Sequence, residues 1–372
     1  MTEEELELLN LLHPTLRPYV RVLLTHEFGL LKDSPKIHSI QCGSIIKKNE
    51  LQYGDRFHLR LLYCRKPLNW QVLMNGNDIT VAPDFIMEEN FLASETEDSI
   101  KLKVPSLINW DPTDIRCLLN VVLELLQVYK SYQINLLRLN PRLQRYLFEF
   151  DSLLSMTELK EQEIEVCVQN ASRGIIIMFL IQLNVDFTRL PTALPSCKNL
   201  IVLVIEFKDN VKTTIQLIPR IELEGSLGGP LDIPDLPPDT SLIDYVPEIE
   251  NQLQERVERV INFTYQRKIL YSYLVQFLEP ALINGDSINF KNVSFLLEQN
   301  NFYCVLNIHI PQTYPESPPT FQLLPFQKAT NPRASEYNNY PYNEDMTHEE
   351  LAKSIFAFVR ETAIAEFQKN TV

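Results

Sequence analysis

Glycine is scarce in this sequence, at 9 of 372 residues against 24 prolines. Loops that cradle phosphates are built from closely spaced glycines, so this scarcity disfavours a nucleotide-binding enzyme. Basic residues are also outnumbered by acidic ones, 34 to 48, and the net charge is −14. Proteins that grip a phosphate backbone need clustered lysine and arginine, so direct nucleic-acid binding is not predicted.

Cysteine pairs and long apolar runs are missing as well. The six cysteines are scattered, and no two form a Cys-x-x-Cys pair. In a chain of this length they are interpreted as buried thiols in a reducing compartment. The longest apolar run, residues 174–183, is far shorter than the ~18 residues of a membrane span. The acidic start, MTEEELELLN, lacks the features of a signal peptide, so we expect a cytoplasmic and nuclear protein without membrane contact.

Signatures of metal and nucleophile chemistry are also missing. The six histidines include neither His-x-His nor His-Glu-x-x-His, so neither a metal site nor a cofactor is predicted. No Gly-x-Ser-x-Gly elbow occurs. With 45% hydrophobic and 22% charged residues, the composition is that of a globular protein with room for two or three domains.

Hydrophobic patterning predicts helices and strands in the first part of the chain. Alternating apolar residues at 56–64 and 68–75 predict antiparallel strands with one covered face. The run 117–139 contains neither glycine nor proline and predicts a helix, with Asp111 as its N-cap and Pro112 at its first position. Three further helices are predicted, the first of them capped by Thr2 and Glu5: 2–12, 16–31 and about 142–156.

The later parts of the chain repeat this alternation. Residues 225–240 are rich in glycine and proline and predict a loop or linker. Pro247 and Pro280 bracket a long helical span, 248–279, expected to bridge two domains. A final amphipathic helix begins at the Thr347–Glu350 capping box. Strands are predicted at 174–187, 199–208, 213–222, 287–297, 301–310 and 320–324.

The predicted fold is α+β, with antiparallel meander sheets packed on helices in a series of related units. We expect an N-terminal domain over 1–156 and a middle domain over 157–247. The bridging helix over 248–279 would then lead into a C-terminal domain over 280–372.

The most specific motif is Tyr314-Pro315-Glu316-Ser317-Pro318-Pro319, which follows an alternating strand. Prolines turn a chain sharply off a sheet edge, and any proline-rich turn could account for the run on its own. In context the run resembles the Y-P-x-x-P-P signature of ubiquitin-conjugating enzymes, of their inactive UEV variants and of RWD domains. Trp110 and Pro112, followed by a leucine-rich helix, resemble the W-x-P stretch of the same fold.

Ubiquitin conjugation requires a cysteine nucleophile to carry the thioester. None lies between Pro83 and Trp110 or after Pro319, and the His-Pro-Asn string is absent. No catalytic residue is therefore predicted. An atypical conjugating enzyme that uses Cys64 or Cys117 is kept as an alternative.

Several stretches, in this order and spacing, resemble the BRE (brain and reproductive organ-expressed) family over nearly the whole chain. The stretches are DRFHLRLLY (55–63), PRIELEGSLGGPLDIP (219–234), SLIDYVPEIE (241–250) and NNYPY (338–342). Members of this family are scaffold subunits of the BRISC and BRCA-type nuclear deubiquitinase complexes. The resemblance implies tandem UEV- or RWD-like units without catalytic activity.

The resemblance also implies partners. Family members bridge an Abraxas-type scaffold, paired with a zinc-dependent MPN deubiquitinase, to an adaptor with a von Willebrand A-type domain. The enzyme cleaves ubiquitin chains linked through lysine sixty-three, in DNA-damage responses and in immune or cytokine signalling. Polyubiquitin is a further candidate partner. By match, the adaptor surface would include the final helix and the residues Tyr314, Pro315, Pro318, Pro319, Tyr340, Pro341 and Tyr342.

One alternative from a different class is a UEV-type ubiquitin receptor that works in membrane trafficking. Its co-purifying subunits would distinguish it from the deubiquitinase scaffold. The expectation that the tyrosines bind a partner rests on their aromatic and polar character together with an exposed position. A packed loop is the competing interpretation.

Overall fold

The computed structural model describes residues 3–43, 53–88, 91–93, 95–171, 174–191, 201–208, 212–326, 335–337, 340–343 and 345–371. The described chain contains helices and open antiparallel sheets, which confirms the predicted α+β class. It divides into two compact units. The first consists of Met1–Asn184, Leu200–Pro219 and Ile233–Glu248, and the second of Val185–Asn199, Arg220–Asp232 and Ile249–Val372.

The first unit contains two four-stranded antiparallel sheets, with strand orders β1-β2-β3-β4 and β5-β6-β7-β8. The strands of the first sheet are β1 (Lys36–Gln41), β2 (Arg56–Tyr63), β3 (Lys66–Leu73) and β4 (Asp84–Met87). Those of the second are β5 (Ile164–Ala171), β6 (Gly174–Leu183), β7 (Ile201–Lys208) and β8 (Lys212–Ile218). The helices are α1 (Glu3–Leu11), α2 (Arg17–Leu24), α3 (Glu97–Lys103), α4 (Pro105–Ile108), α5 (Cys117–Leu139) and α6 (Gln144–Met156).

One hydrophobic core joins both sheets of the first unit. It includes β2 and β3 residues as well as Cys167, Met178 and Leu180 from the second sheet. Helix α5 lies against β5, where the Gln133 side chain accepts a hydrogen bond from the Val168 amide at 2.9 Å. The same side chain donates to the buried Tyr129 hydroxyl, so both ends of the Gln133 amide are satisfied at this contact.

The second unit contains a five-stranded antiparallel sheet with the order β13-β12-β11-β10-β9. Its strands are β9 (Leu282–Gly285), β10 (Asn292–Gln299), β11 (Phe302–His309), β12 (Thr320–Pro325) and β13 (Ser335–Tyr337). Its helices are α7 (Arg220–Ser226), α9 (His348–Phe358) and α10 (Ile364–Thr371), and a π-type turn, Val359–Ala363, joins the last two. Helix α8 (Leu242–Leu278) belongs to the first unit up to Glu248 and to the second from Ile249.

Alternation of side chains puts one face of this sheet in the core. The buried residues are Val293, Phe295 and Leu297 of β10 and Cys304, Leu306 and Ile308 of β11. The C-terminal part of α8, together with α9 and α10, contributes leucine, isoleucine and phenylalanine to the same core. The predicted strands at 301–310 and 320–324 are confirmed, with ends within a residue of β11 and β12.

Several predicted helix ends are wrong. The helix at 117–139 starts at Cys117, and Asp111 caps a turn instead, because its carboxylate accepts from the Thr113 amide and hydroxyl. The helix at 16–31 ends at Leu24. The long helix starts at Leu242 rather than at 248 and contains Pro247, whose position in the second turn costs one hydrogen bond without ending the helix. Thr2, half of the predicted first cap, lies outside the described residues.

Some elements were predicted incorrectly or missed. The predicted strand at 213–222 ends at Ile218, and α7 follows from Arg220 into the stretch that was expected to be a loop. The strand predicted from 287 starts at Asn292, since 286–291 turn around the Asp286 carboxylate. Strands β1, β4, β5, β9 and β13 had no prediction.

Candidate partner-binding surface

The Tyr314–Pro319 motif forms the loop between β11 and β12, as its position after an alternating strand predicts. The Tyr314 side chain is only 3% exposed, and its ring meets that of His348 edge-on at 5.8 Å between centroids. Burial raises the pKa of the Tyr314 hydroxyl, which therefore stays protonated. Pro315 and Pro318 are exposed, whereas Pro319 is buried.

Residues 340–342 are hydrogen-bonded to the loop at 314–319. The Tyr340 hydroxyl donates to the Pro319 carbonyl at 2.8 Å, and the Tyr342 hydroxyl donates to the Pro315 carbonyl at 3.0 Å. The Pro341 carbonyl in turn accepts from the Ser354 hydroxyl of α9 at 2.9 Å. Three hydrogen bonds therefore connect two loops and a helix into one element.

The structure contradicts the expectation that the tyrosines of this motif are exposed. Tyr314 and Tyr340 belong to the core of the second unit, and Tyr340 packs against Phe321. Their rings pack in the interior of the unit, and the Tyr340 hydroxyl donates to a backbone carbonyl. The exposed side of the element consists of Pro315, Pro318, Pro341 and the half-buried Tyr342, and we name these four residues the proline surface.

Rigid prolines lose little conformational entropy when a partner binds, so the proline surface has a suitable composition for recognition. Asn338 and Asn339, which belong to the NNYPY stretch, lie outside the described residues.

Helix α9, the first part of the predicted final helix, begins at the predicted capping box. The Thr347 hydroxyl accepts from the Glu350 amide at 3.3 Å, and the Glu350 carboxylate accepts from the Thr347 amide at 2.9 Å. The buried residues Leu351, Ala352 and Ile355 face the core, which leaves the opposite side of α9 exposed.

No role was predicted for His348, which lies directly after the Thr347 cap. Burial lowers the pKa of His348, and its Nε2 atom has no hydrogen-bond partner among the described residues. A histidine one position after a predicted N-cap could have signalled a ring that faces the motif tyrosines.

Trp110 and Pro112 lie in the first unit, where they hold loops together. The Trp110 indole donates to the Ile79 carbonyl at 2.9 Å, and the Pro112 carbonyl accepts from the Tyr19 hydroxyl at 2.5 Å. The Trp110 ring packs against the first unit's core. These contacts fix the chain between α4 and α5.

Four of the described thiols are poorly placed for nucleophilic chemistry, whereas a fifth, Cys42, is half-buried. Cys64, Cys117, Cys167 and Cys304 are buried. Desolvation raises the pKa of Cys117 and of Cys304 to about 11, and it also raises the pKa of Cys64 well above its ordinary value. A nucleophilic cysteine needs a lowered pKa and access to substrate, and these three thiols have neither. Cys197 lies outside the described residues.

Two further findings concern the described part of the chain. Within it, no group of three or more histidine, cysteine, aspartate or glutamate side chains could hold a metal ion. None of the helices described has the length and apolar character needed to cross a bilayer.

A family model described as brain and reproductive organ-expressed protein (BRE) matches residues 10–326. The chain belongs to the BRE family. A protein of Danio rerio, named BRISC and BRCA1-A complex member 2, is 29% identical over 387 residues, covering 93% of this chain and 97% of the relative. A protein of the same name from Branchiostoma floridae is 29% identical over 381 residues, covering 98% and 97%. The predicted resemblance to the BRE family is thus confirmed.

Proposed function

We propose that this chain is a non-catalytic scaffold subunit of a deubiquitinase complex specific for ubiquitin chains linked through lysine sixty-three. In this proposal it connects an Abraxas-type scaffold and its zinc-dependent MPN deubiquitinase to a von Willebrand A-type adaptor. It would act in the nucleus and the cytoplasm, in DNA-damage and immune signalling. Its units would be UEV- or RWD-like, within the domain boundaries expected from the sequence.

The observation that carries this proposal is the similarity over nearly the full length to relatives named as members of the BRISC and BRCA1-A complexes. The buried, high-pKa thiols support a subunit without its own thioester chemistry. The partner would supply the zinc. The Y-P-x-x-P-P loop of the second unit, with its exposed prolines, supports a docking role for that unit.

Affinity purification of the tagged full-length chain from its own cells tests the assembly. An MPN deubiquitinase, an Abraxas-type scaffold and a von Willebrand A-type adaptor should co-purify in comparable amounts. Sorting-complex proteins in their place would favour the alternative of a ubiquitin receptor in membrane trafficking. The purified assembly should cleave lysine-sixty-three-linked chains, and the isolated chain should not.

A thioester assay distinguishes the scaffold from an atypical conjugating enzyme. After incubation with ubiquitin, activating enzyme and ATP, the chain should show no thiol-sensitive adduct on a non-reducing gel, because a buried thiol of raised pKa provides almost no thiolate at pH 7. An authentic conjugating enzyme is the positive control. An adduct that is lost in Cys64→Ser or Cys117→Ser would overturn the non-catalytic assignment.

The proline surface gives a second prediction. Replacing Pro315 and Pro318 together with alanine should weaken capture of the von Willebrand A-type adaptor at least tenfold. A change of this size is expected when the central contacts of an interface are removed. Quantitative pull-down with the purified adaptor measures it.

The matched control replaces two exposed prolines of the first unit, Pro237 and Pro238, with alanine. Both double variants lose similar loop rigidity, so only the Pro315–Pro318 variant should lose the adaptor. Equal capture of the adaptor by the two variants would mean that the adaptor binds a different surface.

A further inference from the structure

A small cavity in the second unit is lined by an unusual concentration of positive charge. Its volume is about 90 Å³, and its walls come from α8, from the segment after α7 and from the start of the Y-P-x-x-P-P loop. Three arginines of α8 reach it: Arg256, Arg259 and Arg267. Arg256, Val260, Phe263 and Arg267 follow one another at spacings of three and four, which places them on one face of the helix.

Arg267 is the decisive residue, since only 2% of it is exposed. Its Nε donates to the Asn289 carbonyl at 3.0 Å, one Nη to the Gln312 carbonyl at 2.6 Å and the other to the Thr264 hydroxyl at 2.8 Å. All these acceptors are neutral, and no described carboxylate lies within ion-pair distance. Asp286 acts on Arg267 only from farther away, and burial lowers the pKa of the guanidinium.

A buried arginine is normally paired with an anion, because its charge is costly to remove from water. A guanidinium carries five N–H groups, and the three hydrogen bonds of Arg267 leave two of them for another acceptor. Arg267 therefore has both the charge and the donors to bind an anion in the cavity.

The other cations of the cavity are also incompletely neutralised. Arg256 donates through Nε to the Leu227 carbonyl at 3.0 Å and forms no ion pair with a described residue. Arg259 is paired with Glu316 at 2.6 Å, but both side chains are half exposed, so this pair contributes little. The Lys291 ammonium lies next to the cavity wall, where it donates to the Gln312 side chain at 3.2 Å.

We propose that this cavity binds a phosphate group. Three guanidinium groups that converge on one cavity suit a tetrahedral dianion, whereas a single planar carboxylate is matched by one arginine fork. The cavity is much smaller than the ~300–1,000 Å³ of a site for an organic ligand, so it takes the phosphate group itself. The phosphate belongs either to free inorganic phosphate or to a phosphorylated serine, and the site does not depend on the proposed scaffold role.

Titration of the full-length chain at constant ionic strength tests the site. Inorganic phosphate and O-phosphoserine are titrated separately in isothermal calorimetry, with glutamate as the carboxylate comparison. At least one phosphate compound should bind saturably and at least tenfold more tightly than glutamate, and it should raise the thermal unfolding midpoint. Tighter binding of O-phosphoserine would identify a phosphorylated residue as the source, and tighter binding of inorganic phosphate would identify the free ion.

The variants Arg256→Gln and Arg259→Gln should each weaken phosphate binding at least fivefold. Arg259 is exposed, so its variant should fold normally even if the other does not. The matched control is Arg145→Gln in the first unit, because that exposed guanidinium also donates to a backbone carbonyl, that of Pro238. Phosphate affinity unchanged in Arg259→Gln, absence of saturable binding, or equal affinity for glutamate would each overturn the proposal.

Discussion

Replacing Tyr340 with alanine should lower the free energy of unfolding of the second unit by about 3–5 kcal/mol, the usual cost of deleting a buried aromatic ring. The ring is 7% exposed and packs against Phe321 and Tyr342, at 5.6 and 6.3 Å between centroids. Its hydroxyl is also the donor that holds Pro319 in place. The variant therefore loses core packing together with the link between the two loops.

Hydrogen exchange is the suitable measurement because it resolves the units. Amides of β11 and β12 should exchange faster by a factor that corresponds to the lost free energy. Both tryptophans, Trp70 and Trp110, lie in the first unit, so their fluorescence transition provides an internal reference. If β11 and β12 kept their full protection in the variant, Tyr340 would not be part of the core.

A conservative variant separates the two contributions of Tyr340. Tyr340→Phe keeps the ring and removes only the hydrogen bond, so its loss should be about 1 kcal/mol. Tyr342→Phe provides a matched comparison at a half-buried position, where the hydroxyl also donates to a loop carbonyl. Its smaller burial predicts a smaller effect on stability.

The sequence predicted helices and strands correctly where the hydrophobic periodicity agreed with the positions of residues that end such elements. The C-terminal end of helix α5 was predicted correctly because an uninterrupted apolar pattern runs to Leu139 and meets Pro141 just beyond, whereas the start predicted at Pro112 lies before the observed start at Cys117. Strand β5 was missed because its first four residues, including Glu165, are all buried, so no alternation marks it. Pro247 predicts a helix start, but it lies inside α8, near the beginning of the helix.

For the candidate surface, too, local sequence signals were informative and contacts between residues distant in sequence were not predicted. The motif correctly predicts a loop at 314–319, because a run of prolines after a strand is a local signal. Burial of the motif tyrosines depends on contacts such as Tyr340 with Pro319, which are 21 residues apart, and a local pattern does not contain this information. The cavity lined by the α8 arginines was not predicted for the same reason. In the sequence these arginines look like ordinary polar positions on an amphipathic helix.

The second large effect is expected at Glu165, a carboxylate that lies in the core of the first unit and is only 6% exposed. One oxygen accepts from the Leu30 amide at 2.9 Å and the other from the Cys64 amide at 3.2 Å. Glu165→Ala would leave both amides without a partner and open a cavity. The free energy of unfolding of the first unit should fall by about 2–5 kcal/mol, as measured by tryptophan fluorescence in urea.

The same carboxylate should make stability depend on pH. Desolvation raises the pKa of Glu165 above its ordinary 4.5, although the two amides and Lys130 oppose that change. The folded state then binds more protons than the unfolded state, so the contribution of Glu165 is fully present below pH 4.5 and is lost as pH rises through the folded pKa. The stability of the wild type relative to Glu165→Gln should therefore decrease from pH 4 towards neutrality.

Glu158→Gln is the matched control, an exposed glutamate of the same unit. This replacement removes a carboxylate of the same unit without disturbing the core, so the difference between the two variants isolates the pH dependence that belongs to Glu165. A relative stability at Glu165 that increased with pH would mean that the two amide hydrogen bonds outweigh desolvation. The folded pKa would then lie below 4.5, and Glu165 would be held in the core as a stabilised anion.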